Sequence, residues 1–305
     1  MPPRSRGSRA RPSTRPGART RPGARTRPGA RTRPGASGRP GAGSHGRERS
    51  QGRAASERRK PAPAGGRPRR PPRNFTASRP TTEGAIDAVI RRQGWDTLRS
   101  LLEQGGTADV AGALERLRAY MRMVLEWNRG VSNILSRNDE PRFVERHLIE
   151  SIAPAQWLRE SGARRWVDFG SGAGLPAVPL AIAGIGGTWT LVESRRSKTL
   201  FLRKAIQVIG LEHFEVVHDR LENLVANPPH SAGWDAFTSR ATMTLTPTLA
   251  MAAALVSPAG HAFLWKGSGG EGEMKKDPSW SESWEFSGFI AIGSTPNKVA
   301  KFTRK

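Results

Sequence analysis

Two carboxylates and a cluster of glycines are the residues of this chain whose spacing could do chemistry. The first acid closes a short apolar run and leads directly into the glycines: Trp166-Val-Asp168-Phe-Gly170-Ser-Gly172-Ala-Gly174-Leu175-Pro176. Glycines let a backbone approach a ligand closely, and the free N–H groups of a following helix attract an anionic group. A dinucleotide turn requires Gly-x-Gly-x-x-Gly. Here the third glycine comes one residue early and is followed by Leu175, a spacing that suits S-adenosylmethionine (SAM) better than NAD. The second acid is Glu193, which ends the run Thr188-Trp-Thr-Leu-Val, 19 residues after Gly174. A carboxylate about 20 residues past such a turn is placed to hydrogen-bond ribose hydroxyls. Gly170, Gly172, Gly174, Leu175 and Glu193 are therefore the expected cofactor contacts.

These residues need strands to end on and helices to start from, and the pattern supplies both. An apolar run, a glycine turn and then Ala177–Ala183 read as strand, loop and helix. Downstream the alternation predicts a helix over Ser197–Ile209, a strand over Phe214–His218 and a short helix over Leu221–Ala226. It continues with a strand over Trp234–Ser239, a helix over Leu245–Val256 and a strand over Gly260–Trp265. Five strands alternating with helices imply an α/β, doubly wound, Rossmann-like sheet with its ligand at the carboxyl ends of the strands. Asp168, Glu193, Asp219, Arg220, Ser239, Arg240 and Lys266 stand at those ends. Upstream, Thr82–Ile90 and Trp95–Gln104 read as short helices. Val110, Leu114, Leu117, Met121, Val124 and Asn128 follow the alternating 4 and 3 spacing of one helical face. Pro141–Leu158 reads as a further helix carrying His147 and Glu150 on one side, a pairing expected to serve packing.

The chain has 305 residues, no Cys and a formal net charge of +24. The missing thiols exclude disulfides, thiolate metal sites and attack on a pyrimidine ring by cysteine. The longest apolar runs fall short of the roughly 18 residues of a membrane span, and no secretory leader is evident. The expectation is a cytoplasmic protein with no membrane association and no metal. The charge is concentrated in residues 1–80, where 22 Arg and one Lys oppose two Glu, a net of +21. Within this segment Arg-Pro-Gly-Ala-Arg-Thr occurs three times in register, at 15–20, 21–26 and 27–32. So few large apolar residues cannot offset the entropy of ordering, so a disordered basic tail with affinity for nucleic acid is expected. The domain boundaries that follow are 1–80 for the tail, 81–160 for an N-terminal helical part and 161–305 for the SAM-binding core.

One order of residues binds these features to a family. Trp127-Asn128, Asn133, His147, the Gly170–Pro176 loop, Leu191-Val-Glu193-Ser194, Lys198, Phe201-Leu202 and Arg220-Leu-Glu222 are followed by Ser239-Arg240-Ala241 and Lys266-Gly267. Over roughly residues 85–267 the chain resembles the bacterial small-subunit (16S) ribosomal RNA guanine-N7 methyltransferases, also called glucose-inhibited division protein B. The resemblance implies a class I SAM-dependent methyltransferase, monomeric, with ribosomal RNA or the small ribosomal subunit as partner. It places Gly170 and Leu175 at the methionine side of SAM, Glu193 at the ribose, and Leu221 and Glu222 at the adenine. Arg240 would lie between cofactor and target guanine; Lys266 is expected at the transfer site from its own place at a strand end, holding a neighbouring phosphate as a point charge. The chain departs from the family pattern at Asn133-Ile134-Leu135, Glu150 and Ala177, and beyond Gly267 the match is poor. Rival expectations are an RNA-binding or ribosome-assembly protein on a degenerate methyltransferase fold, and an amino-group methyltransferase suggested by Asn227-Pro-Pro-His230. A nicotinamide oxidoreductase is disfavoured by the glycine spacing.

Overall fold

The computed structural model describes residues 83–226 and 233–305. The basic tail and the Asn227-Pro-Pro-His230 motif lie outside the described residues. Helices α1 (Glu83–Arg91), α2 (Trp95–Gln104) and α3 (Val110–Gly130) come first. In α3 the expected stripe, except for the half-buried Val110 at its start, is the buried face, joined by Ala113, Tyr120 and Leu125. Asp109 starts this helix by accepting from the Gly112 N–H at 2.9 Å, which satisfies one of the unpaired first-turn donors.

The single helix expected over Pro141–Leu158 is instead a broken path. A 3₁₀ turn (Arg137–Arg142) leads to a π-helical turn (Val144–Ile149), then α4 (Glu150–Ile152) and α5 (Ala155–Glu160). Prolines stand at two places within this path, inside the 3₁₀ turn and between α4 and α5. Pro141 has no N–H to give inside the first turn, and Pro154 cannot continue α4.

The sheet follows as β1 (Arg165–Phe169), β2 (Thr188–Val192), β3 (Phe214–Val217), β4 (Trp234–Arg240) and β5 (Val256–Lys266). Between them lie α6 (Ala177–Ile182), α7 (Arg196–Ile209), α8 (Leu221–Ala226) and α9 (Leu245–Leu255). After α10 (Gly270–Lys276) come β6 (Trp284–Ala291) and β7 (Lys298–Arg304). The five strands expected are thus seven, in the order β3-β2-β1-β4-β5-β7-β6. The first five run parallel, whereas β7 pairs antiparallel with β5 and β6 pairs antiparallel with β7. In the final hairpin β6 gives no clear signal beforehand, because it is only partly covered and interrupted at Gly288, so its apolar alternation is weak.

Side chains alternate across the sheet into two cores, one on each face. Trp166, Trp189 and Phe214 stack across β1, β2 and β3 at 5.0 and 6.1 Å between ring centroids, under the N-terminal helices. Val167, Val192 and Phe237 pack on the other face against α8 and α9. The chain order reverses between β1 and β4, which opens a crevice at their carboxyl ends.

Candidate functional site

The glycine loop spans this crevice. Gly170 and Ser171 both donate to the Val192 carbonyl, at 2.9 and 3.1 Å, which ties the loop to the end of β2. Gly170, Gly172 and Gly174 have φ of 67°, 59° and 94°, left-handed values that other residues adopt only under strain. A β-carbon at Gly170 would also stand 2.5 Å from Thr242 Cγ2, and one at Gly174 2.7 Å from Val178 Cγ2. At Gly172 a β-carbon would only touch the Gly170 carbonyl and Lys198 Nζ at ordinary contact distances of 3.6 and 3.7 Å, so its requirement for glycine rests on φ. From below, the Tyr120 hydroxyl donates to the Ala173 carbonyl at 2.6 Å and fixes the loop to α3. Burial pushes that phenol above the usual range, so it remains a donor.

Glu193 is buried and engaged with the loop itself. Its Oε2 accepts from the Gly172 N–H at 3.0 Å and its Oε1 from the Arg195 N–H at 2.8 Å. Beside it lies a cavity of about 190 Å³ bounded by Phe169, Gly170, Glu193 and the segment Asp219–Glu222. Leu221 forms part of the floor from within the core, while Glu222 is exposed. Asp219 starts α8, its Oδ1 accepting from Arg220 N at 2.7 Å and from Asn223 Nδ2 at 2.6 Å.

Asp168 stands at the centre and is completely buried. Its Oδ1 accepts from the Thr238 hydroxyl at 2.7 Å, but its Oδ2 has no partner. Burial pushes the carboxyl up to about 7, opposed by the Thr238 hydrogen bond and reinforced by the charge of Glu193.

A second cavity of about 310 Å³ opens on the other side of β4, bounded by Arg146, Glu150, Arg240, Met243, Lys266 and Asn297 among others. Position at the strand ends suggests that Arg240 and Lys266 are cations free for a phosphate; in the structure both are already paired. Arg240 donates to Glu150 Oε2 at 2.8 Å, the Arg146 carbonyl at 2.6 Å and His147 Nδ1 at 3.1 Å. Lys266 Nζ donates to Glu273 Oε2 and to the Met243 carbonyl, both at 2.9 Å. Their side chains are only 13% and 10% exposed, and cations so covered need an internal counter-charge. Ala241, next to Arg240, has φ 54°, a strained turn for a residue with a β-carbon.

His147 is neutral, since burial and the charges of Arg240 and Arg146 hold its pKa down at about 3. Because Nδ1 accepts from Arg240, the ring proton sits on the unpartnered Nε2. Asn128 proves to be a folding residue. Its Oδ1 accepts from Ile134 and Leu135 N–H at 3.0 and 3.1 Å, and its Nδ2 donates to Glu140 at 2.8 Å.

The expected cofactor residues Gly170, Gly172, Gly174, Leu175 and Glu193 are thus gathered on one loop and its neighbour, with Leu221 and Glu222 across the first cavity. Arg240 and Lys266 belong to the second cavity. Sequence reasoning did not find Met243, Glu273 or Asn297; the last two lie beyond Lys266-Gly267, where no motif marks them. Among the described residues, no group of three or more His, Asp or Glu side chains is arranged to hold a metal ion. Nor, among them, is any helix long and apolar enough to cross a membrane.

Comparison with known proteins gives one consistent result. Residues 113–291 match the family GidB, rRNA small subunit methyltransferase G. The ribosomal RNA small subunit methyltransferase G of Sodalis glossinidius is 33% identical over 183 residues, 60% of this chain and 85% of that protein. Its counterpart in Escherichia fergusonii is 32% identical over 181 residues, 59% of this chain and 84% of that protein. The match to the Stutzerimonas stutzeri protein of the same name is 37% identical over a shorter stretch of 129 residues, 42% of this chain and 57% of that protein.

Proposed function

Because the chain belongs to the rRNA small subunit methyltransferase G family, we propose that it methylates N7 of a guanine in small-subunit ribosomal RNA, using SAM. The observation that carries the cofactor site is the buried, half-partnered Asp168 beneath a loop of left-handed glycines at the sheet's switch point. SAM carries an ammonium and a sulfonium, and an unpartnered buried carboxylate suits a cationic ligand. When bound there, SAM supplies an electrophilic methyl group, which the exposed lone pair of guanine N7 can take up without losing a proton.

The residues present fit this group. Gly170, Gly172, Gly174 and Leu175 would hold its methionine end, Glu193 its ribose, and Leu221 and Glu222 the adenine. N7 needs neither a covalent nucleophile nor a base, so the protein's work is orientation and exclusion of water. Arg240 contributes by position: anchored on Glu150 and the Arg146 carbonyl, it fixes one wall of the second cavity. Lys266, held by Glu273, faces the same cavity and offers a charge to RNA phosphate when that pairing opens. In this reading residues 81–160 brace the SAM-binding core 161–305, the tail at 1–80 adds affinity for RNA, and the protein acts as a monomer in the cytoplasm.

The test is a map of N7-methylated guanine in small-subunit RNA from cells with and without the gene, beside a SAM-binding titration. One methylguanine lost with the gene is expected. SAM binding with no methyl transfer to RNA or assembled subunits would instead favour an assembly factor on the same fold.

A further inference from the structure

The second cavity contains one acceptor whose orientation is imposed by its neighbours. Asn297 lies just before β7, past residue 291 where the family match ends. Its Nδ2 donates to Glu150 Oε1 at 2.9 Å. Glu150 is ion-paired with Arg240 and can only accept, so the amide nitrogen must face it and Oδ1 must face away. On that other side stands Gly267, where a β-carbon would lie 3.7 Å from Oδ1. Since glycine has none, the carbonyl oxygen of Asn297 looks into the cavity that both residues line. Apart from Glu150 and Glu273, the charged side chains around this cavity are the cations Arg146, Arg240 and Lys266. A neutral acceptor of fixed direction in such surroundings points to a ligand with a hydrogen-bond donor edge.

Guanine has such an edge. Its N7 and O6 are acceptors on one side, and its N1–H and N2 amine are donors on the Watson–Crick side, which enzymes read in a base taken out of the stack. When N7 faces the methyl-donor crevice, the donor edge faces away from it. Adenine has no donor at the matching positions. We propose that Asn297 is a specificity-determining residue, its Oδ1 accepting from the Watson–Crick donors of the target guanine while Glu150 holds the amide in place. This rests on the guanine-N7 reading of the site.

Two variants address it from different sides. Asn297→Leu removes the acceptor. Gly267→Ala leaves the Glu150 bond intact and puts a methyl group at ordinary contact distance over Oδ1. Single-turnover transfer at saturating SAM is measured on small-subunit RNA carrying guanosine, inosine (no N2 amine) or 1-deazaguanosine (no N1–H) at the mapped position. The wild type is expected to lose about tenfold on at least one analogue, the loss of one well-aligned hydrogen bond. Both variants lose a similar factor on guanosine but lose nothing further on that analogue, and calorimetry finds SAM affinity unchanged. Losses that multiply on both analogues, or variants as fast as wild type on guanosine, overturn the assignment even if the enzyme methylates guanine. A wild-type protein that methylates no RNA overturns both this assignment and the reading it rests on.

Discussion

Asp168 and Arg240 are both buried charges, but their situations are opposite. Asp168 has one oxygen without a partner and a carboxyl raised to about 7, so below that pH it carries its proton in the free protein. A cationic ligand favours the ionised form. SAM affinity is therefore expected to increase as pH rises from 5 to 7 and to level off above, with proton release in the lower part of that range. Calorimetry in buffers of different ionisation heat checks this, and Asp168→Asn should abolish the dependence. The sign for folding is the reverse: a carboxyl raised above its unfolded value of about 3.9 favours the native state less as pH climbs towards 7. Arg240, in contrast, is fully used, with donors on Glu150, His147 and the Arg146 carbonyl. Lysine keeps the charge but not the planar fork. Arg240→Lys should hold SAM affinity and lower methyl transfer at least about tenfold, roughly 1.4 kcal/mol of positioning. A folded variant with the wild-type single-turnover rate would make this arginine a packing residue only.

Helix α3 shows how an element far from the chemistry sets the cofactor loop. Its apolar stripe buries the helix against the sheet's N-terminal-helix face, and Tyr120 on that face reaches the Ala173 carbonyl in the middle of the loop. Removing the hydroxyl leaves a buried carbonyl unsatisfied, which costs about 1–3 kcal/mol. Tyr120→Phe should lower the denaturant midpoint accordingly and weaken SAM binding as well, because the loop loses its support from below. Equal stability with intact SAM affinity would mean that the Val192 and Glu193 bonds hold the loop unaided. The broken segment at Arg137–Glu160 works similarly: it directs the Arg146 carbonyl and the Glu150 carboxylate at Arg240, and Glu150 also receives Asn297 from the final hairpin. One carboxylate thereby joins the N-terminal helices, β4 and the C-terminus.

Across the whole chain the charge is divided unevenly, with +21 in residues 1–80 against +24 overall, leaving +3 for the remaining residues. Charge of this kind releases counterions from RNA and binds without choosing a sequence. Deleting residues 1–80 should leave the methylated position unchanged and flatten the salt dependence of RNA binding. A truncated protein that methylates a different guanine would show that the tail specifies the site.

The sequence by itself determined the parts of this protein that are local. A strand ending in Asp168, glycines at positions that need left-handed backbone, and Glu193 one strand later are fixed by short-range sterics and period-two burial, so they are legible in order along the chain. The motifs also carried the family. Only the tertiary structure decided what the strand-end cations do, because a charge buried by folding must take its counter-charge from whatever the fold brings near. For Arg240 that is Glu150, 90 residues away, and for Lys266 it is Glu273. Asn297 is further still, 147 residues from Glu150 and in a hairpin with little amphipathic signal. No spacing rule reaches across such separations; they are set when β7 inserts beside β5 and brings Asn297 against α4.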